Sequence, residues 1–268
     1  MRLRLPKNKM KILTIPFAGG GLGKTKGVEN APKFILKHLK DLYLNENKQL
    51  PLFNFQDIKI NQNNIEETNK NIQETIEKNM EYKFGIIGGD HSITFPAFKA
   101  FSKLEKPGLL IFDAHPDCMH NFNPPTHEDF VKVLIEQKII PAENIIIVGL
   151  RNWHSSELKY LQDNKIRFFT MKQLHRYMEN SIDAIMDNCR KFTNLYISID
   201  IDVIDPAFAP GTGYIEPAGL TSREFIHILQ RLKFLKNIKA FDLVEINPDK
   251  DVNELTSKLG AKILSELV

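Results

Sequence analysis

Residues 109–118 read LLIFDAHPDC. An unbroken apolar run ends in Asp113, His115 and Asp117, ionisable side chains at every second position. A stretch that is apolar on both faces suits a strand of a parallel sheet sandwiched between helices. Successive side chains on a strand point to opposite faces, so the three side chains are expected to point to one face. Two carboxylates and an imidazole crowded together repel one another and resist burial. The spacing therefore predicts a positive charge between them.

The same grammar recurs along the chain. Strand-like runs are KILTIPF (11–17), LFNFQDI (52–58), KFGIIGG (83–89), GLLIFDA (108–114), NIIIVGL (144–150), IRFFT (166–170), LYISIDI (195–201) and KAFDLVEI (239–246). Between them lie amphipathic, helix-like patterns at 31–43, 64–80, 93–104, 127–137, 155–164, 181–192, 221–232 and 254–268. Alternation of this length predicts an α/β protein with a mostly parallel sheet and helices on both faces. No repeat, low-complexity tract or linker divides residues 1–268, so a single domain is expected.

Bulk composition narrows the function classes. Lys and Arg number 36 against 33 Asp and Glu, a formal +3, which argues against nucleic-acid or membrane-surface binding. No apolar stretch approaches the ~20 residues of a membrane span. The opening MRLRLPKNKMKILTIPF has too short and broken an apolar run for a secretory leader. Cys118 and Cys189 are the two cysteines and lie far apart, which disfavours a disulfide framework and fits a reducing cytoplasm.

Further strand ends carry chemistry. GIIGGDHS brings Asp90 and His91, YISIDIDVIDP brings Asp200, Asp202 and Asp205, and DLVEINP brings Glu245. In open parallel sheets functional groups gather at the carboxyl ends of strands, so these residues can converge on one crevice. Taken singly, such an Asp is more often a helix cap or turn former, and Asp205 before Pro206 is read that way. Taken jointly, Asp113, Asp117, Asp200 and Asp202 with His91 and His115 form a ligand set. Four carboxylates carry a charge of about −4, which two divalent cations would neutralise. Oxygen-rich ligands with a minority of imidazole suit Mn²⁺, and paired ions activate water for hydrolysis.

GGDHSIT (88–94), DAHPD (113–117), SIDIDVIDPAFAPGTG (198–213), GLTSRE (219–224) and DLVEINPDKDVNELTSKLGAKIL (242–264) resemble, in order, the motifs of the ureohydrolases: arginases, agmatinases and related amidinohydrolases. The resemblance covers nearly the whole chain. It implies a three-layer α/β/α fold around an eight-stranded parallel sheet and a binuclear manganese centre, two Mn²⁺ per chain. His91, Asp113, Asp117 and Asp200 would hold one ion. Asp113, His115, Asp200 and Asp202 would hold the other. Glu245 matches the family's guanidinium-binding carboxylate, and His127 the histidine that passes a proton to the leaving amine, although Glu128 follows where a glycine is common. Homo-oligomers, trimers or hexamers, are also implied.

The expected reaction cleaves a guanidino compound to urea and an amine. The stretch from Asp205 to Glu224 and the short segment between Asp117 and His127 resemble agmatinases, so agmatine to putrescine, a step of arginine metabolism and polyamine biosynthesis, is the leading expectation. The alternative is an arginase or another guanidino- or formimino-acid hydrolase. Asn152 and His154 stand where arginases bind the substrate's amino end. Cys118, His120, Trp153 and Tyr214 are candidates for the pocket, and Glu128 or Glu157 for an acceptor facing an ammonium tail. A single-zinc deacetylase-like hydrolase and a non-catalytic relative are the competing classes; a non-catalytic relative would be expected to have lost ligands, and none of the six is missing.

Overall fold

The computed structural model describes residues 9–267. The opening residues 1–8, part of the leader reading above, lie outside them. Eight strands form one sheet: β1 Met10–Thr14, β2 Phe53–Asp57, β3 Phe84–Ile87, β4 Pro107–Phe112, β5 Ile145–Leu150, β6 Arg167–Thr170, β7 Asn194–Asp200 and β8 Ile238–Val244. Their order is β2-β1-β3-β8-β7-β4-β5-β6, and every pairing is parallel. The connection from β3 to β4 leaves room for two strands, which β8 and β7 later fill. That reversal of strand order opens a crevice beyond the carboxyl ends of the central strands.

The helices are α1 Ala31–Leu39, α2 Ile65–Glu77, α3 Thr94–Phe101, α4 Phe130–Glu136, α5 Ser155–Asp163, α6 Met171–Arg176, α7 Met178–Cys189, α8 Ser222–Leu232 and α9 Leu255–Leu267. Pleating splits the apolar strands between two cores. Leu110, Phe112, Ile197, Ile199, Phe241 and Leu243 pack with α1 and α6–α9. Leu109, Ile111, Tyr196 and Ala240 pack with α2–α5. Two cores on one sheet make the three-layer α/β/α architecture that the runs of Ile, Val and Leu predict. Among the described residues no helix is long and apolar enough to cross a membrane.

The structure corrects two sequence readings. Helix α6 was not expected; Thr170 and Gln173 cap each other's ends reciprocally, and the TMKQ spacing at 170–173 was the available signal. Several strands also stop earlier than the apolar runs suggest: β1 at Thr14 rather than 17, β3 at Ile87 rather than 89, β4 at Phe112 rather than 114. Apolar content persists where the chain has already left the ladder. At the β3 exit a Cβ on Gly89 would lie 1.8 Å from the Phe17 carbonyl oxygen, so only glycine allows that approach.

Candidate active site

Four neighbouring strands, β3, β8, β7 and β4, deliver the site from their carboxyl ends. After β3, Asp90 caps the turn His91–Ile93 by accepting from Ser92 N at 3.0 Å, and it accepts from Gly20 N at 2.8 Å. Burial pushes the Asp90 carboxyl up to about 6. His91 is buried, with Nε2 2.9 Å from Ser198 Oγ on β7. Ser198 Oγ donates to Asp242 Oδ1 on β8 at 2.7 Å. Asp242 Oδ2 accepts from Tyr196 Oη and Thr94 Oγ1, each at 2.8 Å. Because the Ser198 proton points at Asp242, its oxygen is left to accept from His91 Nε2–H. The ring therefore turns Nδ1 toward Asp113, Asp117 and Asp200, whose Oδ2 atoms each lie 3.2 Å away.

The opening stretch reaches its convergence by a different route from the one its spacing suggests. Asp113 is already outside β4, and Asp117 sits in the left-handed region at φ 51°. A turn, not strand alternation, gathers Asp113, His115 and Asp117. His115 N donates to Asp113 Oδ1 at 2.6 Å. His115 Nδ1 lies 2.9 Å from Asp202 Oδ2 and 3.5 Å from Asp113 Oδ1. Likewise Asp200 ends β7, while Asp202 lies in the turn Ile201–Val203 and donates its N–H to Asp200 Oδ1 at 2.9 Å.

Two ligand-like clusters result, His91–Asp113–Asp200 and Asp113–His115–Asp202, joined at Asp113. Burial and the Asp113 charge push Asp117 up to about 8. Burial and the neighbouring Asp202 raise Asp200 well above the carboxylate range. Asp113 goes the other way: burial opposes its charge, but the adjacent His115 and His91 imidazoles hold it low. Two imidazoles alone do not keep four buried carboxylates ionised; the cluster is short of positive charge.

Beside it, Glu245 adopts a left-handed backbone, φ 61°, as the chain turns out of β8. Its Oε1 accepts from His91 N at 2.8 Å and lies 3.2 Å from His127 Nδ1. Burial opposes charging of His127, yet the Glu245 hydrogen bond raises it to about 9. Among the described residues six buried side-chain polar atoms lack a hydrogen-bond partner; three of them, His91 Nδ1, His127 Nε2 and Glu245 Oε2, belong to this site. Buried polar atoms are rarely left without a partner, so three at one site call for an explanation.

A cavity of about 310 Å³ opens over these residues, a size that suits a small molecule. At its mouth Lys24 Nζ and Tyr214 Oη each donate to Glu128 Oε1 at 2.9 Å, and Tyr214 stands edge-on to His115. Trp153 and Met119 supply apolar wall.

The structure thus brings together His91, Asp113, His115, Asp117, Asp200, Asp202, His127 and Glu245. Asn152 and His154 reach only the rim. The Asn152 amide donates to Glu216 Oε1 at 2.6 Å, and His154 Nδ1 caps α5 through Ser156 N at 3.3 Å. Glu157 is no free acceptor: its two oxygens take Cys118 N and His154 N. Burial and then Asp117 push the Cys118 thiol well up, which makes it inert as a nucleophile. The sequence reading missed Lys24, Arg151, Glu216 and the Ser198–Asp242 relay. Only Ser198 and Asp242, polar residues inside apolar strands, carried a signal.

Fold and site together define the class: a parallel α/β protein with a histidine–carboxylate cluster above its central strands. The chain belongs to the arginase family, whose model matches residues 8–268. It is 32% identical over 190 residues to guanidinopropionase from Pseudomonas aeruginosa, covering 68% of this chain and 58% of that protein. It is 30% identical over 226 residues to formimidoylglutamase from Halalkalibacterium halodurans, covering 81% and 71%. With the human mitochondrial guanidino acid hydrolase it shares 32% over 222 residues, covering 79% and 62%. The alignments thus span less than two thirds of two of these relatives. The solved formimidoylglutamase of Bacillus subtilis superposes with a TM-score of 0.89 at 23% identity, covering 98% of this chain and 87% of that one. Proclavaminate amidino hydrolase from Streptomyces clavuligerus superposes with a TM-score of 0.82 at 26% identity, covering 98% and 94%.

Proposed function

We propose that this chain hydrolyses a guanidino compound to urea and an amine at a centre of two manganese ions. The observation that carries this is the set of unsatisfied buried atoms: His91 Nδ1 facing three carboxylates, and Glu245 Oε2 and His127 Nε2 beside the cavity. The donors fit such ions. They are oxygen-rich with a minority of imidazole, they fall into two clusters, and Asp113 belongs to both. His91, Asp113, Asp117 and Asp200 would hold one ion; Asp113, His115, Asp200 and Asp202 would hold the other. Bound there, the ions supply a strong nucleophile from water at neutral pH. The protein supplies the rest. Glu245 Oε2 accepts N–H bonds from the guanidinium and fixes its plane. His127, held by Glu245 at Nδ1, keeps Nε2 free to pass a proton to the departing amine.

The tail of the substrate is read at the mouth. Agmatine, giving putrescine, is our first choice, with Glu128 as the carboxylate nearest its ammonium. A guanidino acid is the second reading, favoured by Lys24 and by the names of the relatives above. A trimeric or hexameric assembly and a cytoplasmic setting accompany this reading. Urea release from agmatine, guanidinopropionate and L-arginine, measured side by side on manganese-loaded protein, tests it. Turnover fastest on agmatine is expected; preference for an acid transfers the tail's recognition to Lys24. No urea from any of them rejects the reaction.

A further inference from the structure

We propose that Arg151, Asn152 and Glu216 form a brace that orients His115, a role that rests on the metal-centre reading above. His115 presents Nδ1 to Asp202 and Asp113, while its Nε2 lies 3.2 Å from Glu216 Oε1. An imidazole that offers a lone pair at Nδ1 carries its proton on Nε2, and a carboxylate accepting that proton fixes both tautomer and ring plane. Glu216 is the acceptor in place.

Glu216 is itself held from two directions. Its side chain takes the Asn152 amide at 2.6 Å on the same Oε1. Its backbone is tied by Arg151, whose Nη2 donates to Glu216 O at 2.7 Å and to Asp202 O at 2.5 Å. Arg151 Nε donates to Pro217 O at 3.0 Å, and Nη1 lies 3.4 Å from the carbonyl oxygens of Gly149 and Val203. One guanidinium therefore joins the β5 exit, the Asp202 turn and the Glu216 loop. Its planar fork can reach several carbonyls at once, which an ammonium cannot do. Gly219 accommodates it: a Cβ there would lie 2.8 Å from Arg151 Nη2.

His115 needs such a brace because of where it lies. Its side chain is 23% exposed, against 1% for His91, so packing alone does not fix the ring. Asn152, which the sequence assigned to substrate, acts instead as a positioning residue through Glu216.

The test is titration of metal-free protein with Mn²⁺, with unbound ion followed by its electron paramagnetic resonance signal, alongside thermal unfolding. Wild type is expected to take up two ions. Glu216→Gln and Glu216→Ala should keep the first binding step and weaken the second about 10–100-fold, with Tm unchanged. Arg151→Lys should weaken the same step. Saturating Mn²⁺ should then recover kcat in Glu216→Gln. Two steps of wild-type affinity in both Glu216 variants would overturn the brace and leave the centre standing. Equal weakening of both steps with a fall in Tm would also overturn it, making Glu216 a general structural residue. A wild type that binds fewer than two ions would overturn the two-ion reading and the brace with it.

Discussion

His91 and His115 do the same job in opposite surroundings. Each turns Nδ1 toward carboxylates. His91 lies on the floor, and its Nε2 is held by Ser198 and Asp242, residues on adjacent strands β7 and β8. His115 lies near the mouth, and its Nε2 faces Glu216, a loop residue steadied by Asn152 and Arg151. The floor inherits its precision from sheet register, which pairs Ser198 directly with Asp242. The mouth has to build precision from side chains, because loops lack a ladder to fix them. A rigid floor beneath a looped rim is the arrangement expected where loops are carried on a scaffold of this kind.

The largest effect should come from the residue both histidines share. Asp113→Asn removes a carboxylate from both clusters, and urea release should fall by at least about 10³-fold, the equivalent of ~4 kcal/mol in the barrier. An activity loss below tenfold would mean that the two halves do not depend on a common ligand.

The second substitution tells floor from rim. Ser198→Ala strands His91 Nε2 in a buried setting and leaves Asp242 Oδ1 only the long bond from Ile199 N at 3.4 Å, which should cost about 1–3 kcal/mol of stability in urea unfolding. Glu216→Gln, at the half-buried rim, should leave unfolding near wild type. Equal costs for the two would erase the distinction.

A smaller effect is expected from pH. In metal-free protein burial opposes the charge on His127, but the Glu245 hydrogen bond raises it to about 9. Its folded value exceeds the unfolded ~6.5, so its contribution is fully present below that pH and lost as pH rises through about 9. Tm measured from pH 6 to 10 should show this alkaline decline, and His127→Gln should flatten it. An unchanged profile in the variant would place the decline elsewhere.

The smallest effect belongs to the surface, far from either histidine. Glu46 is held down to about 2 by Arg223, which donates to both of its oxygens at 2.8 Å. A depressed carboxylate stabilises above its unfolded value, and that contribution disappears as pH falls through about 2. Both side chains are solvent-exposed, so screening leaves little of it, and Arg223→Ala should barely move Tm at pH 7.

The sequence, taken alone, determined the layered fold and the floor of the site. Continuous Ile, Val and Leu runs can be satisfied only between two helical layers, and ionisable residues that follow such runs must leave at strand ends. So GGDH, DAHPD, SIDID and VEI already name His91, Asp113, His115, Asp117, Asp200, Asp202 and Glu245. Tertiary structure alone decided how they converge and what surrounds them. Strand order put the exits of β3, β4, β7 and β8 side by side, although more than 150 residues separate His91 from Glu245. Turns at Asp113–Asp117 and Ile201–Val203 aimed the carboxylates, although strand alternation had been expected to aim those from Asp113 to Asp117. The rim was not legible: Asn152 turned to Glu216, Glu157 to backbone amides, and Lys24 to Glu128. Local sequence carries the periodicity of burial, a property of each element by itself. It does not carry hydrogen bonds between loops, whose partners are set by where the whole sheet places them.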